Sequence, residues 1–290
     1  MSIRVEHVSH IYMAGTPFEA VALDDVSVNI DDGEFVGLIG ETGSGKSTLV
    51  QHFNGLLKPT RGKVYIDDID LSSRDTKMKE IRRKVGLVFQ YPEHQLFEET
   101  VYGDVAFGPR NLGLSEDEVA GRVMWALRIA GLDYEGVKDR SPFELSGGQM
   151  RRVAIAGVLA MQPKTLILDE PAAGLDPRGR DDILGQIKRL HTELGMTIVL
   201  VSHNMEDVAE LVDRLIVMNR GKIAIDGPTR EVFKRAEELR EMGLGIPQVT
   251  ELMRELARRG WNVRTDVLTV GEAKEELLPL LMPGKGVSEA

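Results

Sequence analysis

Phe35-Val36-Gly37-Leu38-Ile39-Gly40-Glu41-Thr42-Gly43-Ser44-Gly45-Lys46-Ser47-Thr48 reads as a buried strand, a glycine turn and the start of a helix. The compact apolar run Phe35 to Ile39 enters the turn, and helical spacing resumes from about Lys46 to Leu57. Gly40 to Ser47 fits G-x-x-x-x-G-K-[ST], a loop whose glycines let successive backbone N–H groups turn inward around phosphates. The helix behind it adds its positive end. In that arrangement Lys46 would contact the β- and γ-phosphates and the Ser47 hydroxyl would ligate Mg²⁺. Glu41, Thr42, Gly43, Ser44, Gly45 and Thr48 complete the expected ATP-binding set. A glycine-rich turn could match by accident, but a strand before it and a helix after it are the context that nucleotide binding requires.

A second strand ends in charge. Leu166-Ile167-Leu168-Asp169-Glu170 places two acids at the carboxyl end of a buried run, where parallel sheets bind ligands. Asp169 would hold Mg²⁺ through water, because this ion keeps much of its hydration shell. Glu170, one residue on, points differently and is placed to polarise an attacking water. Two solvated acids at a strand end would be the bland reading of the pair alone; the loop upstream argues against it.

Bulk properties narrow the class. The 290 residues are 42% hydrophobic and 28% charged, as in an ordinary globular protein of one large domain with an appendage or two modest ones. Its formal charge of −10 makes the chain a poor general polyanion binder. The lack of cysteine excludes a disulfide framework and thiolate metal sites, and fits a reducing cytosol. Ile3 to Ile11 alternates apolar and polar residues and lacks the core of a signal segment. The longest apolar stretch, Val153 to Met161, is nine residues, about half of a membrane span. Any membrane role is therefore expected to run through a partner.

Strands are expected at Ile3 to Ile11, Val21 to Ile30, Val64 to Ile66, Val85 to Phe89 and Thr197 to Val201, with a hairpin around Arg220-Gly221. Residues from about 92 to 161 read as mainly helical, with a capping box at Ser115-x-x-Glu118. Beyond Pro228 a helix carrying Val249, Leu252, Met253 and Leu256, an apolar segment Val263 to Val270 and a last helix form an appended module.

Leu145-Ser146-Gly147-Gly148-Gln149 then selects among phosphate-loop proteins. Physically it is a capped helix start that offers N–H groups and a dipole to an anion. It resembles the signature of ABC ATPases, and the order phosphate loop, Gln90, signature, Asp169-Glu170, His203 agrees. The resemblance covers about Ile3 to Gly227. It implies an α/β phosphate-loop NTPase fold with a RecA-like core, an antiparallel β subdomain, a helical signature subdomain and, here, a small C-terminal α/β extension. It implies domains at 1–227 and 228–290, the second holding two ATPases together. It also implies that Ser146, Gly147, Gly148 and Gln149 meet the γ-phosphate of ATP held by the opposite subunit. Gln90 would touch Mg²⁺ and the attacking water, His203 would bond the γ-phosphate, and Asp176 would lie on the loop crossing the dimer interface. Tyr12 would stack on adenine, unless it is a core tyrosine at a strand end.

Lys46 and Asp169 lie 123 residues apart, too close for the long coiled coil of DNA-repair relatives. The run Gln90-Tyr91-Pro92-Glu93-His94-Gln95-Leu96-Phe97 and Gly108-Pro109 resembles the second ATPase of energy-coupling factor vitamin and metal importers. That resemblance implies a peripheral ATPase on the cytoplasmic face of the cell membrane. Its partners would be a second ATPase, either a related chain or another copy of this one, a transmembrane T subunit and a substrate-binding S subunit, with Mg²⁺·ATP as fuel and no nucleic acid. Glu93, Leu96 and Phe97 are expected to form the groove for the T subunit's coupling helices, with Glu93 as a charge partner; an ordinary solvated helix start is the alternative. An ABC ATPase of another transporter class, or a soluble regulatory one, would carry the same motifs.

Overall fold

A computed structural model describes residues 2–281. Its first half runs β1 (Ile3–Tyr12), β2 (Ala20–Ile30), β3 (Phe35–Ile39), α1 (Lys46–Phe53), β4 (Arg61–Ile66), β5 (Ile69–Asp70), α2 (Met78–Lys84), β6 (Val85–Val88), α3 (Val101–Asn111), α4 (Glu116–Ile129) and α5 (Tyr134–Val137). There follow α6 (Gly147–Leu159), β7 (Thr165–Asp169), α7 (Pro177–Leu194), β8 (Thr197–Val201), α8 (Met205–Leu211), β9 (Arg214–Asn219) and β10 (Lys222–Pro228). The chain ends in α9 (Thr229–Lys234), α10 (Ala236–Glu241), α11 (Gln248–Arg258) and α12 (Val270–Leu281).

β3, β7 and β8 bury every residue, because helices or a second sheet cover both faces of the sheet they share. That sheet has the order β10-β9-β3-β8-β7-β6, parallel except for β10 at one edge. Alternation along each strand splits the core in two. Val36, Leu38, Ile167 and Val199 face α1 and the antiparallel sheet β2-β1-β4-β5. Phe35, Leu166, Leu168 and Ile198 face the opposite way, into a core continuous with Val101, Val123, Leu127 and Val153 of the helical region. Parallel strands share a direction, so Ile39, Asp169 and Val201 all end at one edge of the sheet.

The helical region is built from local signals. Ser115 accepts from the Glu118 N–H while the Glu118 carboxylate accepts from the Ser115 N–H at 3.0 Å, the reciprocal cap read from the sequence. Val119, Val123 and Leu127 then lie buried on one stripe of α4.

The C-terminal extension departs from expectation. It was expected to be α/β, yet between Pro228 and Leu281 the described residues form helices only. The segment 263–268 forms no strand. Side chains answer its backbone instead: the Thr250 hydroxyl donates to the Val267 carbonyl at 2.5 Å, and the Leu268 N–H donates to Glu272 at 3.0 Å. Val267 packs with Met253 and Ala273 in a small separate core. Helices α9 and α10, by contrast, send Val232, Phe233 and Leu239 into the main core. Residues 282–290 of the expected second domain lie outside the described residues.

Phe233 therefore belongs energetically to the main core, whereas Leu252 on α11 is half exposed. Phe233→Ala should cost about 3–5 kcal/mol of stability, and Leu252→Ala within about 0.5 kcal/mol. Denaturant unfolding of the full chain compares the two.

Candidate functional site

The phosphate loop leaves β3 at Gly40, whose φ of +154° and contact with the Met218 carbonyl leave no place for a Cβ. Gly45 precedes α1 at φ +104° under the same constraint, with Ala22 behind it. Lys46 folds back on the loop, donating to the Gly40 carbonyl at 2.7 Å and the Glu41 carbonyl at 2.9 Å. Burial pushes its ammonium below the usual lysine range, while the nearby charges of Glu170 and Asp169 work against that shift.

Glu41, Thr42, Gly43, Lys46, Ser47 and Thr48 line a cavity of about 1260 Å³ with Tyr12, Gln90, Asp169, Glu170 and His203. Ser44 does not line it. Its hydroxyl is buried against Gly40 with no hydrogen-bond partner among the described residues, so Ser44 can serve the loop only through its backbone. Tyr12 is 40% exposed, bonds Thr48 through its hydroxyl at 3.2 Å and packs edge-on against His10. A core tyrosine is excluded.

Asp169 ends β7 beside Ser47, which hydrogen-bonds its carboxylate; burial pushes the carboxyl above the usual range and the Ser47 bond and Lys46 charge oppose that. Two hard oxygen donors at the cavity wall suit Mg²⁺. Glu170 takes a left-handed turn, φ +53°, while its N–H donates to the Val201 carbonyl at 3.0 Å. The turn sets its carboxylate 2.6 Å from Nδ1 of His203, beyond the end of β8. An acid able to accept a proton and an imidazole able to orient its neighbour thus face the phosphate loop.

The structure does not bring every expected residue here. Ser146 caps α6, accepting from the Gln149 N–H while its own N–H donates to the Gln149 side chain at 3.1 Å. No residue of Ser146–Gln149 lines the cavity, and a Cβ built at Gly147 or Gly148 would meet open space. This helix end faces outward. Asp176, which accepts from the Gly179 N–H at 2.8 Å to cap α7, also lies off the cavity.

Glu93 requires a correction. It was expected on the coupling groove, but both its oxygens accept from Arg151, at 2.7 and 3.0 Å, and its side chain is only 15% exposed. Burial works to raise its carboxyl, but the Arg151 hydrogen bonds outweigh this and hold it below the usual range. The reason lies on α6: Arg151 shares a stripe with buried Ile155 and Leu159 and must find its counter-charge inside. Its remaining N–H groups reach the Pro171 carbonyl at 3.0 Å and the Ala173 carbonyl at 2.7 Å. Leu96 and Phe97 do border a groove of about 590 Å³, together with Phe107, Met161, Arg82 and Arg83. Its acid is Asp104, which accepts from the N–H groups of Phe97 and Glu98.

Residues missed in the sequence include Arg151, whose inward stripe was legible from its four-residue spacing, and Arg180 on α7. Arg180 bonds Asp207 at 2.9 Å and the Asn204 side chain at 3.3 Å, bracing the turn after His203. Gly243 to Ile246 and Gln248, from the extension, also border the cavity, and no local pattern announced that.

Comparison with known proteins identifies the family. The family model described as ABC transporter matches residues 23–173. The "Energy-coupling factor transporter ATP-binding protein EcfA2" of Clostridium perfringens (strain 13 / Type A) is 59% identical over 281 residues, covering 97% of this chain and 99% of that one. Among solved structures, cbiO1 from Clostridium perfringens, described as part of the ABC transporter complex cbiONQ, is similar at TM-score 0.73 and 41% identity over 87% of this chain and 98% of that one. MJ0796, an ATP-binding cassette solved as a dimer with ADP and Pi, is similar at TM-score 0.70 and 33% identity, over 78% and 98%.

Because Arg151 is buried, removing Glu93 alone strands a charge. Glu93→Ala should cost about 3–5 kcal/mol. In a double-mutant cycle with Arg151→Met the two losses should be far from additive, read from chemical unfolding; additive losses would show that the pair does not act as a unit.

Proposed function

The chain belongs to the ABC transporter family and within it to the ATP-binding proteins of energy-coupling factor transporters, and from that premise we propose how its site works. It is an ATPase. The observation that carries the reading is the convergence of Lys46, the Ser47–Asp169 pair and the Glu170–His203 pair on one cavity, while the Ser146 helix end faces away. A phosphate site complete on one side and a second anion-binding helix end turned outward suit two ATPases packed face to face. Each Ser146–Gln149 would then close the other's cavity, with the Asp176 loops crossing between them.

In the proposed cycle the loop amides and Lys46 hold the β- and γ-phosphates, Tyr12 stacks on adenine, and Ser47, Gln90 and water-mediated Asp169 would hold Mg²⁺. When bound, that ion offsets the negative charge on the phosphate oxygens. Glu170 accepts a proton from the attacking water as its oxygen bonds the γ-phosphorus. The bond from the γ-phosphorus to the bridging oxygen breaks and ADP leaves. His203 orients Glu170 and contacts the γ-phosphate. Charge placement supplies most of the rate.

Among the described residues no helix is long and apolar enough to cross a membrane. We assign membrane coupling to the groove bordered by Leu96, Phe97 and Phe107, which would receive a T subunit at the cytoplasmic face. The complete importer would add a related second ATPase and an S subunit binding a vitamin or transition metal ion. We keep 228–290 as the extension, with α9 and α10 packed into the main core and the part from α11 onward carrying a small core of its own, and assign it a part in ATPase pairing.

Glu170→Gln keeps the shape of the side chain and removes the base. ATP turnover in the assembled transporter should fall by about 10²–10⁴-fold with ATP binding retained; near-normal turnover would remove Glu170 from the chemistry. Phe97, 59% exposed, tests the groove. Phe97→Glu should reduce recovery of membrane subunits in affinity purification from solubilised membranes while ATP binding stays intact, and undiminished recovery would place the T subunit elsewhere.

A further inference from the structure

The extension does more than follow the ATPase core: it touches both jaws of the phosphate site. Gly243 ends α10 in the left-handed conformation, φ +71°, with its N–H on the Arg240 carbonyl and the Leu244 N–H on the Leu239 carbonyl at 2.8 Å. Leu244 and Ile246 point into the main core at 7% and 5% exposure, which pins the turn. The turn thereby lies beside the exposed Glu41 side chain, whose carboxylate end a Cβ at Gly243 would have to push aside. Glu41 follows Gly40 in the phosphate loop, and its carbonyl accepts from Lys46 and from the Ser44 N–H at 3.1 Å. A few residues on, the Gln248 N–H at the start of α11 donates to the Glu206 carboxylate at 3.1 Å. Glu206 sits in the first turn of α8, three residues after His203. The segment between these two contacts borders the cavity itself.

We propose that Gly243 and the Gln248 amide are positioning groups for the nucleotide site of their own chain, the first seating the phosphate loop through Glu41 and the second seating the His203 turn through Glu206. The proposal rests on the ATPase reading above. It makes the extension part of the ATP site in cis, apart from any part in pairing ATPases. The start of α11 also gives Glu206 a fixed partner, favoured by the helix dipole, and keeps its charge on the extension side of the turn. Movement of the extension would shift loop and turn together, so ATP occupancy and extension position are linked.

The test uses the full chain and equilibrium binding of ATP with Mg²⁺. Gly243→Asn suits the left-handed backbone, since asparagine tolerates it better than other side chains, yet it places bulk on Glu41. Its ATP affinity should fall several-fold, and the fall should vanish when Gly243→Asn is compared with wild type in a Glu41→Ala background. Glu206→Ala should lower kcat in the assembled ATPase several-fold at nearly constant KM for ATP, with Glu206→Gln, which keeps an acceptor for the Gln248 N–H, restoring most of the loss. Unchanged affinity in Gly243→Asn and unchanged kcat in Glu206→Ala would overturn the proposal. So would a lowered melting temperature with both unchanged, or an affinity loss that persists without the Glu41 side chain. Should Gly243→Asn fail to fold, the Glu206 pair decides alone. Failure of the unaltered chain to bind ATP would remove the functional reading itself, a result separate from either variant's.

Discussion

One buried guanidinium holds the working parts of this molecule in a common frame. Arg151 on α6 is 2% exposed, and it is tolerated there because its N–H groups meet the two Glu93 oxygens and the Pro171 and Ala173 carbonyls. Such a planar fork fixes direction as well as distance, which a lysine ammonium would not. It joins three places: the turn at 92–95 after Gln90, the helix that begins at Ser146, and the peptide just beyond Glu170. A displacement of any one is felt by the other two, because a stranded charge in this setting is costly.

The parallel sheet provides the second constraint. Helical crossovers return the chain so that β3, β7 and β8 run the same way and release Gly40, Asp169 and Ser202 at a single edge. At that edge burial disfavours charge on both Lys46 and Asp169, raising the acid and depressing the base. Each charged form is favoured by the other's opposite charge. Lys46 meanwhile rests on the Gly40 and Glu41 carbonyls, bonds that it would exchange for phosphate oxygens.

Outside the cavity the same economy appears in the bracing of the His203 turn. Arg180 holds it from α7, the helix that Asp176 caps, and the Gln248 amide holds it from α11. His203 itself stays 71% exposed on the side chain, so its orientation depends on these neighbours and on Glu170 rather than on packing. The turn that presents it is braced from α7, from α11 and by Glu170.

Much of this was legible in the sequence. Local chemistry wrote the glycine loop, the Ser115 and Ser146 caps and the apolar runs of β3, β7 and β8, because glycine torsions, cap hydrogen bonds and burial on both faces are determined by adjacent residues. Their order along the chain was enough to place Lys46, Asp169, Glu170 and His203 in one family pattern. What adjacent residues cannot encode is which distant group answers a charge or a backbone amide. Glu93 reads as a surface acid until α6 delivers Arg151 to it. The apolar segment Val263 to Val270 does not disclose that Thr250 bonds the Val267 carbonyl and Glu272 the Leu268 N–H. The sequence by itself determined the elements and the chemistry that they carry; the tertiary structure decided the partners, since a hydrogen bond or ion pair between residues far apart in the chain exists only once packing has brought them together.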